Sequence, residues 1–376
     1  MRTLLALTLA LVASTTLLEA ASAAERRQPG EYLWQCIAIT RDEARYRCYS
    51  RLLLERIERS RDPASEVPEI DRDVEKVGGE ILGTCHAVMH DVGRKYARAH
   101  RITLGTLRKF IPRSNNPRCS AGFGMGLVMY LGPQLVTTGG RTALADCRSL
   151  PTRFRAYTCI HGLGHALMRG FHGELEPAVQ ACRALGRHGA DCAQGAFHDY
   201  WISLRGADGT TRPRNAVTSP RRVCDGRLTY VRPCWYRFFI EQRFSSRLES
   251  AADIRRLCSG LRPLQRAGCV AGAALAVSTN PFQQTRICAD LAARDSLPCL
   301  RGVAVPAVMG RPSQQERLID GCRSFEHSAP CYEWFGRTLA LVTDGRFDCR
   351  GLRSASARTA CRAGAARIDE PLVTFS

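Results

Sequence analysis

Polar and apolar segments alternate in a fixed order along most of this chain. A polar stretch carrying Arg and acidic residues, such as Ser250-Ala-Ala-Asp-Ile-Arg-Arg-Leu-Cys258, ends in a cysteine. A short loop of Gly, Pro and Arg follows. A second cysteine then opens an apolar stretch such as Cys269-Val-Ala-Gly-Ala-Ala-Leu-Ala-Val277. Richness in Ala and Leu, without period-two alternation, favours helix over strand in both segments. From Cys147 onward the first cysteine of each unit recurs every 27 to 42 residues, the period of helix-hairpin repeats. The pattern predicts an all-α solenoid of αα-hairpin repeats, each clamped by a local disulfide.

The eighteen cysteines fall into nine successive pairs. In eight of them 8 to 11 residues separate the members: Cys36 with Cys48, Cys147 with Cys159, Cys182 with Cys192, Cys224 with Cys234, Cys258 with Cys269, Cys288 with Cys299, Cys322 with Cys331, and Cys349 with Cys361. The ninth, Cys85 with Cys119, holds a longer insertion. Spacing this regular nominates sequential pairing throughout. Closing a loop of about ten residues is worth roughly 2.5 to 3 kcal/mol on chain-entropy grounds. The third position after the second cysteine is repeatedly glycine: Gly122, Gly162, Gly195, Gly272, Gly302 and Gly364. Glycine in a helix interior costs about 1 kcal/mol against alanine, so its recurrence points to helices in close approach. Gly122-Phe-Gly-Met-Gly126 is read in the same way, since it follows a cysteine and not the strand that a phosphate turn requires.

Residues 1–23 have the grammar of a signal peptide: Arg2, an apolar run from Leu4 to Leu18, then Ala21-Ser22-Ala23. Disulfides persist in the compartments such a segment leads to, so the chain is expected to be exported, periplasmic or secreted. No later run reaches the roughly 18 to 20 apolar residues of a membrane span. The expected organisation beyond residue 23 is an N-terminal disulfide hairpin (24–61), a linker (62–73) marked by Pro63 and Pro68, and His/Met-rich repeats (74–203). A basic loop (204–222) and mainly structural repeats (223–376) complete it. Within the unit of Cys85 and Cys119, Arg94 to Arg113 reads as a basic helical insertion.

The formal charge is +19, carried almost wholly by arginine, as Lys76, Lys95 and Lys109 are the only lysines. Such a field would draw an anionic ligand, a cell-envelope component or an acidic protein. A solvated charge shell around the array accounts for it more simply. No basic stripe with interleaved aromatics stands out, so nucleic acid is not an expected partner.

Histidine is concentrated: eight of nine lie between His86 and His198, and Met89, Met125, Met129 and Met168 share that span. Two segments, Cys85-His86-Ala-Val-Met-His90 and Cys159-Ile-His161-Gly-Leu-Gly-His165, each contain His-x-x-x-His. Random placement would give on the order of 0.2 such pairs. Residues four apart share a helix face, so each pair can converge on one metal ion. Six positions after the second cysteine, three consecutive units carry Met125, His165 and His198, where the next three carry Ile240, Leu275 and Val305. The candidate metal ligands are therefore His86, His90, His161, His165, His198 and Met125, with His172 in reserve. Imidazole suits zinc or copper, and a thioether tilts toward reduced copper. Covalent haem is not expected without Cys-x-x-Cys-His.

Carboxylates accompany these histidines in His90-Asp91, His198-Asp199 and the Glu174 and Glu176 that follow His172. The His-Asp dipeptide resembles the metal-binding dipeptide of HD-type phosphohydrolases, which would imply hydrolysis by a metal-bound water with Asp91 or Glu174 as base. The stapled hairpins resemble secreted Sel1-like repeat proteins in architecture, though the Sel1 consensus is absent; that resemblance implies a binding surface. Three functions follow. The first is binding of a metal ion or small ligand at a His/Met-lined site; the second is a metal-dependent, hydrolase-like enzyme acting on an anionic substrate; the third is a basic scaffold.

Overall fold

The computed structural model describes residues 30–138, 140–203, 218–225, 230–241, 248–278, 280–303 and 312–368. The expected signal peptide, most of the basic loop and Val305 lie outside them. Every described regular element is helical. We number the helices that carry the argument: α1 (Gly79–Ala99), α2 (Cys119–Tyr130), α3 (Arg153–Gly170), α4 (Gly189–Ser203) and α5 (Val231–Glu241). Beyond them lie α6 (Pro263–Val277), α7 (Ala293–Leu300), α8 (Ser328–Val342) and α9 (Ala355–Ala366).

All nine disulfides form between sequence neighbours, as the spacing predicts. Cys36 bonds to Cys48, Cys85 to Cys119, Cys147 to Cys159, Cys182 to Cys192 and Cys224 to Cys234. Cys258 bonds to Cys269, Cys288 to Cys299, Cys322 to Cys331 and Cys349 to Cys361. In six of the eight closely spaced pairs the first cysteine lies at or near the end of a short helix, and Cys322 and Cys349 lie in single 3-10 turns. The second cysteine does not open its helix as the sequence pattern suggests, except at Cys119. Cys48 lies within Asp42–Arg59, Cys299 within α7 and Cys331 within α8, each a turn or two after the helix begins. Cys85 departs from the rule, since it lies inside the long helix α1.

Each long helix packs on the next, from α1 through α9. This is the nearest-neighbour stack of a repeat protein. Leu33 to Trp235 contribute one apolar core, and Phe154 with Ala251 to Cys361 a second. The stack is not straight, because α8 returns to touch α3. Where it returns, a cleft of about 440 Å3 opens, lined by Arg148, Arg153, Arg187 and His188 among others.

Residues 63–73 of the expected linker are helical, within Pro63–Val77. Pro63 sits in the first turn, where its missing N–H removes nothing. Pro68 lies inside the helix and would orphan the carbonyl of Ala64; Arg113 donates its backbone N–H to that carbonyl at 2.8 Å. Arg56 then ties three helices together. Its Nε donates to Glu66 at 2.6 Å, and its Nη1 donates to the Tyr32 hydroxyl at 2.7 Å and to Asp73. The expected basic helical insertion is also shorter than read: α1 stops at Ala99, and only Leu104–Leu107 is helical before Arg113.

Asp71, from this same helix, caps α2. Its buried carboxylate accepts from the backbone N–H of Cys119 at 3.0 Å, from that of Ser120 at 3.4 Å, and from the Ser120 hydroxyl. Burial outweighs these bonds and raises its pKa to about 7. A folded-state value above the unfolded value of about 3.9 means that the Asp71 contribution is complete below pH 4. It is lost as pH rises toward 7, by about 4 kcal/mol in all. Asp71→Asn keeps an acceptor for the helix N-terminus and is expected to flatten stability over this window, whereas Asp71→Ala also loses the cap and lowers stability most at pH 4 and least at pH 8. Denaturant midpoints from pH 4 to 8 read both effects.

Candidate metal centre

Glycines set the spacing that assembles the site. A methyl group on Gly122 would lie 2.3 Å from the carbonyl oxygen of His86, and one on Gly126 2.4 Å from that of His90. One on Gly195 would lie 2.0 Å from the His161 carbonyl, and one on Gly164 1.9 Å from that of Cys192. Backbones of α1 and α2, and of α3 and α4, therefore touch at the histidine-bearing turns. Only residues without a side chain allow that approach.

Imidazoles from α1, α3 and α4 come together as a result. Ring centroids are 4.7 Å apart for His86 and His90, 5.3 Å for His90 and His165, 5.1 Å for His161 and His165, and 4.9 Å for His165 and His198. His161, His165 and His198 each offer a ligand atom within 4.8 Å of the others. His161 and His165 are almost wholly buried, and His198 retains slight exposure.

A hydrogen bond orients His165, and a carboxylate faces His198. His165 Nδ1 faces Asp199 at 3.3 Å, and His198 Nε2 faces Glu241 at 3.3 Å. A carboxylate that accepts from one ring nitrogen leaves the lone pair on the other. Those other nitrogens, Nε2 of His165 and Nδ1 of His198, are buried and have no partner among the described residues, like Nε2 of His90 and Nδ1 of His161. Burial, aided by the Arg237 charge and the neighbouring rings, holds His161 and His198 well below the usual histidine range; burial and neighbouring charges do the same for His90. His86 falls to about 4, chiefly through burial. Its Nδ1 donates to the Pro117 carbonyl at 2.8 Å, which leaves the lone pair on Nε2. These four rings are thus held as neutral imidazole, the form that ligates a metal.

No family model, curated protein or solved structure matches this chain. A metal site here rests on the donor set itself, and that set fits: three converging rings with buried, unsatisfied nitrogens.

The other sequence-nominated residues are placed differently. His86 and His90 extend the row of rings from the three-histidine group. Met125 packs beneath α3, where a methyl on Gly162 would lie 3.3 Å from its Cα and 3.5 Å from its Cγ. Asp91 turns away from the rings: it accepts from the Ser50 hydroxyl at 2.6 Å and pairs with Arg94 and Lys95 at 2.6 Å each. Glu174 and His172 are exposed ahead of the helix Leu175–Arg183. The carboxylates that do meet histidines are Asp199 and Glu241.

Two further residues escape the histidine pattern. Arg237 places Nη2 3.4 Å from His161 Nε2. It stands three positions after Cys234, where the flanking units have Gly195 and Gly272, so the break in the glycine series marks it. Arg169, one turn beyond His165 on α3, is largely buried, and burial lowers its pKa. Nothing in the sequence distinguishes it from the many other arginines.

Proposed function

We propose that this protein binds one zinc or copper ion through His161, His165 and His198, with His90 beside them, and that it does so as an exported protein. The observation that carries the reading is that His161, His165 and His198 each bring a ring nitrogen within 4.8 Å of the others, on rings that each also hold a buried nitrogen without a partner among the described residues. Leaving a buried acceptor unsatisfied costs about 1 to 3 kcal/mol, and an ion would satisfy several at once. Zinc holds imidazole nitrogens at about 2.0–2.1 Å, so rings this close converge with small rotations. An all-imidazole set suits zinc or oxidised copper; Met125, packed against Gly162, adds little toward reduced copper. Asp199 and Glu241 would act as the outer carboxylates that fix ring tautomers. Nine disulfides favour an oxidising compartment, and residues 1–23 have the pattern of an export signal. Among the described residues no single helix is long and apolar enough to cross a membrane.

Calorimetric titration of the oxidised protein with zinc tests this. His161→Gln retains an acceptor for Arg237 while removing the imidazole. Wild type is expected to bind one ion, and the variant to bind at least about 100-fold more weakly, the outer limit of second-sphere losses, with an unchanged unfolding midpoint in the absence of zinc. Equal affinity in the two proteins would count against the site.

A further inference from the structure

Among the described residues no carboxylate orients His161. A neutral imidazole has a single lone pair. Where Arg237 donates to Nε2 of His161, that lone pair is taken, and Nδ1 carries the proton. A metal ion and the Arg237 guanidinium therefore compete for the same electrons.

Charge sharpens the competition. Among the described residues, Asp199 and Glu241 are the carboxylates that face the histidines. Arg237 faces His161, and Arg169 lies near enough to Asp199 and His90 for its charge to act on both. Among these four groups the two negative charges balance the two positive ones. A divalent cation would add an uncompensated charge beside a guanidinium in a partly buried site, where screening is weak.

Both arginines also have donors to spare. Nε of Arg237, and Nε and Nη2 of Arg169, are buried without a partner among the described residues. Buried donors are ordinarily satisfied, and a guanidinium presents its donors as a planar fork that matches an oxyanion.

We infer that this site takes its metal ion together with a small oxyanion, of the phosphate or carboxylate class, held between the ion and Arg237. The inference rests on the metal reading above. An oxyanion that engages Arg237 releases the His161 lone pair and supplies the missing negative charge. Each ligand then tightens the other, by the reciprocity that governs linked binding. No bond is made or broken in this step.

Zinc affinity of the oxidised full chain, measured by calorimetry in chloride buffer alone, with inorganic phosphate, and with acetate, reads the coupling. In wild type, at least one oxyanion is expected to tighten zinc binding by about ten-fold or more, a typical coupling between linked sites. A gain with phosphate alone identifies a tetrahedral dianion, and a gain with acetate a carboxylate. Arg237→Gln is expected to bind zinc more tightly than wild type in chloride buffer and to lose the oxyanion dependence. Arg237→Lys retains the charge and should keep the weak anion-free binding, which separates charge from damage to the fold. Zinc binding in wild type that ignores both oxyanions would overturn the inference and leave the metal reading intact. No zinc binding under any condition would instead sink the metal reading, and this inference with it.

Discussion

Gly195→Ala is expected to destabilise the protein by at least about 3 kcal/mol and to abolish metal binding, although it adds only one methyl group. Inserting methylene groups into a well-packed core ordinarily costs about 1 to 3 kcal/mol. Here the added carbon would meet backbone and not a movable side chain, 2.0 Å from the His161 carbonyl. Helices α3 and α4 can relieve that clash only by separating, and separation draws His198 away from His161 and His165. Gly83 supplies the contrast. It is exposed in α1 with nothing within 4 Å of an added methyl, so Gly83→Ala should stabilise by about 1 kcal/mol through helix propensity alone. Urea midpoints and zinc titrations of the two variants separate a packing requirement from a general intolerance of alanine. A Gly195→Ala protein with wild-type stability and zinc affinity would show that the helix contact does not position the site.

Reduction of the disulfides is expected to unfold the whole array. Each short loop contributes roughly 2.5 to 3 kcal/mol by restricting the unfolded chain. Together they exceed the roughly 5–15 kcal/mol of net stability typical of a folded domain. Several helices are too short to persist alone: Ala251–Leu257 has seven residues and Pro220–Cys224 has five, against the roughly 12 to 15 that an isolated helix needs. Loss of the helical circular-dichroism signal on adding a phosphine reductant at neutral pH, in one concerted step with loss of zinc binding, is the expected result. Retention of most helicity after complete reduction would mean that the two apolar cores, and not the clamps, hold the stack.

Much of the architecture is legible in the cysteines, because sequential clamps leave a hairpin little choice of topology. The glycine register carries nearly as much: it marks the helix contacts at Gly122 and Gly195, and its interruption at Arg237 marks the residue that faces His161. The failures have identifiable physical causes. Residues 62–73 read as a linker because two prolines and several acids suggest a turn. The helix persists there because Arg113, far along the chain from Ala64, supplies the bond that Pro68 cannot. Asp91 is a natural partner for His90 by adjacency, yet neighbours on a helix point about 100° apart, and its side chain faces Ser50 and Lys95. Asp199 has the same adjacency to His198 but serves a different histidine, His165 on α3. Glu241 and the return of α8 to α3 depend on how successive hairpins rotate about the stack, which no local pattern encodes.

Metal content shows whether His161, His165 and His198 hold an ion. The protein should be isolated oxidised and without a histidine tag, beside the His161→Gln variant, and both analysed by mass spectrometry for zinc and copper. Close to one ion per wild-type chain is expected, and little in a variant that remains folded. Metal-free wild-type protein that also stays metal-free after reconstitution with either ion would contradict it.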